Sequence, residues 1–255
     1  MYAQERQEAI AGLIGQRGRV SVADLADSFK VTTETVRRDL DTLERGGLVR
    51  RVHGGAVPVS ALGAHERSLT ERSGARAPQK DRIAARAVEL LPGDDATILV
   101  DGGTTTARLA ARLPLDMQLT VVTNSVPAVT TLAGLANLRL EMLGGRVRPT
   151  TQACVGEAAV RELGDLRIDV VFLGANGLSV EGGATTPDSA EAAVKRAMVA
   201  CGRKVVLLAD SSKIGRDYLV RFARLDDLDV LVTDDEIDPD QLGAFTAAGV
   251  EVLIG

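Results

Sequence analysis

The chain has 255 residues, 25% charged and 45% hydrophobic, with a net charge of −5. That is the composition of a folded protein of one large or two smaller domains, and it argues against a chain disordered throughout. Aromatic residues are only 2% and tryptophan is absent, which leaves little material for a base-stacking platform on single-stranded nucleic acid.

Residues 1–17 read as a helix, with Ile10, Leu13 and Ile14 on one face, and Gly18 ends it. Ser21 is a candidate N-cap for a second helix, with Asp24 placed to complete a capping box. Val22, Leu25, Ala26 and Phe29 form its buried stripe. Lys30-Val31 makes a turn and Thr32 caps a third helix, whose inner face is Val36, Leu40 and Leu43. Gly46-Gly47 stops it, and a hairpin-like segment follows that turns at Gly54-Gly55. Helix, turn, helix and hairpin can put one helix into the major groove of duplex DNA.

The third helix leaves Thr33, Glu34, Arg37, Arg38 and Asp41 on its outer face. Arginine bonds a guanine edge with two N–H groups or clamps a phosphate, so Arg37 and Arg38 are the expected main contacts. The full expected DNA-binding set is Ser21, Thr32, Thr33, Thr35, Arg37, Arg38, Arg50, Arg51 and His53. An arginine pair on a helix also serves as a plain solvated face, and three packed helices can be a structural unit alone. The conjunction with the short turn and the basic hairpin favours double-stranded DNA. Charge placement agrees weakly: residues 1–58 carry a net of +1 and the remainder −6.

Residues 59–76 lack periodicity and read as a linker between a 3–58 DNA-binding domain and a 77–255 domain. The spacing predicts a helix over about 78–91. Apolar runs follow at 96–100, 119–123, 138–143, 170–173, 205–209, 230–232 and 250–254, with helical segments at 104–113, 126–132, 155–163 and 190–199. Strands alternating with helices predict an α/β domain with a mainly parallel sheet covered on both faces. Cys154 and Cys201 have no disulfide or zinc spacing and read as small buried residues. No apolar run approaches the ~18 residues of a membrane span. The opening Met1-Tyr-Ala-Gln-Glu-Arg6 has no signal-peptide pattern, so a cytoplasmic location is expected.

Asp101-Gly-Gly-Thr-Thr-Thr106 lies between a predicted strand and a predicted helix. Glycines admit a ligand close to the backbone, and the threonines offer hydroxyl and N–H donors, a combination suited to phosphate. The same turn also serves as plain strand-to-helix geometry. Other loops fall beyond strand carboxyl ends, where a parallel sheet places its ligands. The expected effector-binding set is Asp101, Gly103, Thr104, Thr105, Thr106, Arg146, Glu191, Lys195 and Lys213. Arg146 and Lys213 would neutralise a phosphate. Glu191 and Lys195, four apart, either stabilise their helix or point into the pocket, Glu191 toward sugar hydroxyls and Lys195 toward the phosphate. Asp101 would accept sugar hydroxyls.

Val20-Ser-Val-Ala-Asp-Leu-Ala26, Val31-Thr-Thr-Glu-Thr-Val-Arg-Arg-Asp-Leu40 and Arg50-Arg-Val-His-Gly-Gly-Ala56 resemble the winged-helix signature of the DeoR family of bacterial sugar-operon regulators. The second half is similar to that family's effector domain through Leu143-Gly-Gly-Arg-Val-Arg148, Ala184-Thr-Thr-Pro-Asp188, Glu191-Ala-Ala-Val-Lys-Arg-Ala-Met198 and Asp210-Ser-Ser-Lys213. The resemblance implies a winged helix-turn-helix joined to a ribose-5-phosphate-isomerase-like sensing and oligomerisation domain. It implies a repressor, homodimeric or homotetrameric, released from operator DNA by a phosphorylated sugar. The opening residues and Val52-His-Gly-Gly-Ala-Val-Pro58 look similar to fructose-operon repressors, making fructose 1-phosphate the first guess. Against the isomerase, its acidic loop stands here as Leu173-Gly-Ala-Asn-Gly177, and its basic glutamate falls on Lys195. Binding without turnover is therefore expected, with no catalytic residue, metal or cofactor. The alternative is a sugar-phosphate isomerase-like enzyme with an added DNA-binding head.

Overall fold

A computed structural model describes residues 3–17, 20–46, 48–52, 54–58 and 68–255. His53, the side chain of Arg50 and the first part of the expected linker, 59–67, lie outside the described residues.

The N-terminal unit comprises α1 (Ala3–Arg17), the short strand β1 (Val20–Ser21), α2 (Val22–Phe29), α3 (Thr33–Arg45), β2 (Val49–Val52) and β3 (Gly55–Pro58). The strands form an antiparallel sheet in the order β1-β3-β2. Ile10, Ile14, Leu25, Val36 and Leu40 are fully buried in its core, as the helical spacing predicts. Ser21 Oγ accepts the N–H of Asp24 at 3.0 Å, and Thr32 Oγ1 accepts that of Thr35 at 3.2 Å. Each cap satisfies a donor that the first helical turn leaves without a carbonyl. Gly55 is needed for contact rather than for the turn alone: a Cβ there would lie 2.3 Å from the Val20 carbonyl oxygen, where β3 pairs with β1. Asp39, on the inner side of α3, accepts from Arg6 Nε at 2.6 Å and Gln7 Nε2 at 2.9 Å, tying α1 to α3.

The second unit opens with α4 (Leu69–Gly74) and α5 (Ala77–Val88). A third of the segment expected as linker is thus helical. Its start is set by a capping box in which Ser68 and Glu71 exchange hydrogen bonds. Then come β4 (Ala96–Val100), α6 (Thr104–Ala110), β5 (Leu119–Thr123), α7 (Val126–Leu132) and β6 (Leu138–Met142). A hairpin of β7 (Arg146–Arg148) and β8 (Ala153–Val155) precedes α8 (Glu157–Gly164) and β9 (Ile168–Gly174). The chain continues through β10 (Gly177–Ser179), β11 (Gly183–Thr186), α9 (Ser189–Cys201), β12 (Gly202–Leu208) and β13 (Val220–Ala223). It closes with β14 (Val230–Thr233), α10 (Pro239–Ala247) and β15 (Glu251–Ile254).

The seven apolar runs become one parallel sheet in the order β6-β5-β4-β9-β12-β14-β15. Successive side chains serve opposite faces. Ile98 and Val100 pack with Ile83, Leu109 and Leu132, whereas Leu99 packs with Leu163, Met198 and Phe245. Burial on both faces is why these strands read as unbroken apolar runs. Each fully buried Leu, Ile or Phe contributes roughly 1.5–3 kcal/mol. The first three strands wind outward from β4 in one direction and the last four from β9 in the other. A parallel sheet with such a reversal opens a crevice there, beyond the strand carboxyl ends. The antiparallel sheet β10-β11-β13 and the β7–β8 hairpin stand where the sequence reading has loops. These strands have only three or four residues each, too few for an apolar alternation to announce a strand.

Candidate functional site

Two surfaces carry the residues singled out above. On the first, Thr33, Glu34, Arg37 and Arg38 of α3 are exposed and Thr35 is half-buried. Glu34 lies between the two guanidiniums, 3.7 Å from each. Exposed pairs of this kind contribute about 0–1 kcal/mol, so both arginines can exchange Glu34 for a stronger anion. Arg51 is already engaged: its guanidinium contacts Asp41 and its N–H donates to Glu44 Oε1 at 2.9 Å. These bonds hold β2 against the second half of α3. The hydroxyls of Ser21 and Thr32 act as caps, and Thr32 also shares a hydrogen bond with Thr35 Oγ1 at 2.9 Å. What this face offers an anion is two cations and a threonine cluster at the start of a thirteen-residue helix.

The second surface is a cleft, open to solvent, at the carboxyl ends of β4 and β9. Beneath it Asp101, 1% exposed, ends β4, and Lys195, 2% exposed, rises from α9. Lys195 Nζ contacts Asp101 Oδ2 and donates to the Gly174 carbonyl at 3.0 Å, while the Gly174 N–H donates to the same Oδ2 at 3.0 Å. The pair therefore staples the two strands together where the winding reverses. The Phe222 ring lies 5.3 Å from the ammonium, a further favourable contact for a cation. Glu191, one turn earlier on α9, is 3.9 Å from that ammonium and 3.0 Å from Arg148 Nη1.

The cleft is lined by Gly102 and Gly103 after β4 and by Thr104 and Thr105 at the start of α6. Asn124 accepts the Gly102 N–H at 2.9 Å. A Cβ on Gly102 would sit 2.6 Å from that of Ala153, so only glycine lets the turn pack this closely on β8. Also lining the cleft are Asn176 after β9, then Asp210 and Lys213, the cap and the last residue of a one-turn 3-10 helix after β12. Arg72 of α4 and Lys80 of α5 complete the lining. Lys80 is 3% exposed. Burial above all, then the cations Lys213, Arg108 and Arg72, bring its pKa down to about 8, with Asp210 acting the other way.

Of the expected effector residues, Gly103, Thr104, Thr105, Glu191, Lys195 and Lys213 line this cleft, with Asp101 directly below. Thr106 is buried in the first turn of α6 and donates to the Gly103 carbonyl at 3.1 Å. Arg146 lies exposed on β7, away from the lining. Two residues on, Arg148 reaches Asp188 and Glu191 instead. Sequence reasoning missed Arg72 and Lys80. Lys80 did leave a signal, since it opens the stripe Lys80, Ile83, Ala84 and Ala87 at i, i+3, i+4 and i+7, a lysine where an apolar residue is due. Cys154 and Cys201 are buried thiols. Among the described residues no helix is long and apolar enough to cross a membrane.

The family model described as the DeoR-like helix-turn-helix domain matches residues 6–61, and that described as the DeoR C terminal sensor domain matches residues 75–235. The chain is 38% identical over 255 residues to the HTH-type transcriptional regulator GlpR of Haloferax volcanii, covering 100% of this chain and 99% of that one. It is 32% identical over 237 residues to the glycerol-3-phosphate regulon repressor of Escherichia coli (strain K12), covering 92% of each. Ribose 5-phosphate isomerase A of Methanocaldococcus jannaschii overlays on 55% of each chain at 17% identity and a TM-score of 0.41.

Proposed function

The chain belongs to the DeoR family of DNA-binding transcriptional regulators, and from that premise we propose that it represses a sugar-catabolism operon and leaves its operator when a phosphorylated sugar fills the cleft. One observation carries the proposal: a Gly-Gly-Thr-Thr stretch and Lys213 line the same crevice where the sheet reverses. Backbone N–H groups, hydroxyls and an ammonium are the donors a phosphate takes, and Asn176 and Glu191, which line the same cleft, would take sugar hydroxyls. The similarity to a repressor of the glycerol-3-phosphate regulon supports a phosphorylated effector. Palindromic operators need paired heads, so the acting species is a homodimer or homotetramer.

The cleft binds without turning its ligand over. An enediol route needs a carboxylate free to take a proton from carbon. Here Asp101 is committed to Lys195, Glu191 is paired with Arg148, and Asp210 is held by Arg76 and Ser212. A gel-shift series on the upstream region, titrated with pentose and hexose phosphates beginning with fructose 1-phosphate, tests the reading. One phosphorylated sugar is expected to release the DNA while its unphosphorylated form does not. Release by none of the panel, or turnover of any member seen by NMR, would overturn it.

A further inference from the structure

The helix α4 directly follows the segment that joins the two units, and it rests on the cleft in an unusual way. None of its residues is buried, so no apolar core holds it. Its attachments are polar, and they come largely from cations at its C-terminal end. Lys80 Nζ donates to the carbonyls of Arg72 at 2.5 Å and Ala75 at 2.7 Å. Arg108 donates to the Ser73 carbonyl at 3.0 Å. By contrast α5 is firmly anchored: Arg76, just before its first residue, bonds Ser211 at 2.8 Å, Asp234 at 3.2 Å and Glu236 at 2.8 Å. Ile83, Ala84 and Ala87 are buried in the sheet core. Lys80 thus stands on a fixed helix and clasps a loosely held one.

Lys80 also lines the cleft. We propose that Lys80 is the residue that couples the cleft to the DNA-binding unit, holding α4 closed when the cleft is empty and giving its N–H groups to an anion when one enters. This rests on the effector reading above and names its regulatory route. An ammonium has three N–H donors, and two are spent on the carbonyls of Arg72 in α4 and of Ala75 just after it. A phosphate bearing two charges is a stronger acceptor than a neutral carbonyl, so its arrival weakens the clasp. Among the described residues, the groups facing Lys80 favour that exchange: Arg72 from α4, Arg108 from α6 and Lys213 from the turn after β12 repel its charge, and Asp210 opposes them. An entering anion reverses this balance. α4 then loses these two ties, and the first helix of the second unit, which the chain enters from α1–α3, is loosened.

The test uses the full chain, Lys80→Met, which keeps the volume and loses the donors, and Lys80→Arg, which restores charge and donors. Amide exchange over residues 68–76 is followed with and without saturating inorganic phosphate or sugar phosphate, alongside operator affinity. In the native chain, ligand is expected to raise exchange in this segment. In Lys80→Met the segment is expected to exchange fast without ligand, operator affinity to fall roughly fivefold or more, and the remaining response to ligand to drop below about twofold. Lys80→Arg is expected to recover part of both. Slow exchange over 68–76 in ligand-free Lys80→Met overturns the clasp. Phosphate that binds, by calorimetry, but leaves this exchange unchanged overturns the coupling. Failure of every phosphate to bind the native chain instead overturns the effector reading and the coupling with it, while the ligand-free comparison still reports on the clasp.

Discussion

Arg37 and Arg38 differ in what surrounds them despite being neighbours. Their side chains are 53% and 80% exposed, and both share Glu34. A bidentate contact to guanine is worth about 1–3 kcal/mol, whereas a phosphate contact mainly adds salt dependence. Arg37→Ala and Arg38→Ala are therefore each expected to weaken operator binding by roughly 5- to 150-fold. The variant that loses a base contact should also lose discrimination against a mutated operator. The one that loses a phosphate contact should instead flatten the slope of log affinity against log salt by about one. Fluorescence anisotropy on operator and scrambled duplexes across a salt series separates the two, and unchanged affinity in both variants removes α3 as the recognition helix.

The winged unit is small, and its elements depend on close contacts. β1 has two residues and is held by pairing with β3 at Gly55 and Ala56. A side chain at 55 would force these backbones apart, because its first carbon meets the Val20 carbonyl oxygen at 2.3 Å. Gly55→Ala is expected to destabilise this unit by about 1–3 kcal/mol, the range for forcing atoms into a filled site. Amide exchange in β1 and β3 should rise while the parallel sheet stays protected. Equal exchange in native and variant chains contradicts this packing. The α3 face is similarly supported from behind, where Asp39 binds Arg6 and Gln7, and from the side, where Arg51 and Glu44 hold β2.

Over the whole molecule, the buried ammonium of Lys80 links stability to pH. Its folded pKa is about 8, lowered chiefly by burial, against about 10.4 in an unfolded chain. Below pH 8 both states hold the proton, and the penalty of burying the charge is fully present. Between about 8 and 10 the unfolded chain holds more protons, so stability rises with pH, by at most about 1.4 kcal/mol per unit. Denaturant unfolding of native and Lys80→Met chains from pH 7 to 10 is expected to show this rise in their difference. A flat difference shows that Lys80 keeps an ordinary proton affinity.

Much of the architecture was legible because the responsible forces are local or periodic. Two-sided burial writes itself as unbroken apolar runs, and all seven parallel strands appear where such runs stand. Caps at Ser21 and Thr32 follow from side-chain type and position. The Gly-Gly-Thr-Thr turn was visible because it follows a strand. Other features depend on distant segments meeting. The i, i+4 spacing suggests Glu191 as the partner of Lys195, yet its closer bond is to Asp101, 94 residues away in sequence. Arg146 and Arg148 look alike on the page, and only the hairpin's place against α9 gives Arg148 its carboxylates. Lys80 and Arg72 join the cleft because α4 and α5 pack against α6, a consequence of packing that no window of neighbouring residues contains. Composition and periodicity therefore determined the elements and the class of fold. Which charges converge, and which helix they hold, was decided only by the tertiary structure, since charge interactions depend on distance through space and not along the chain.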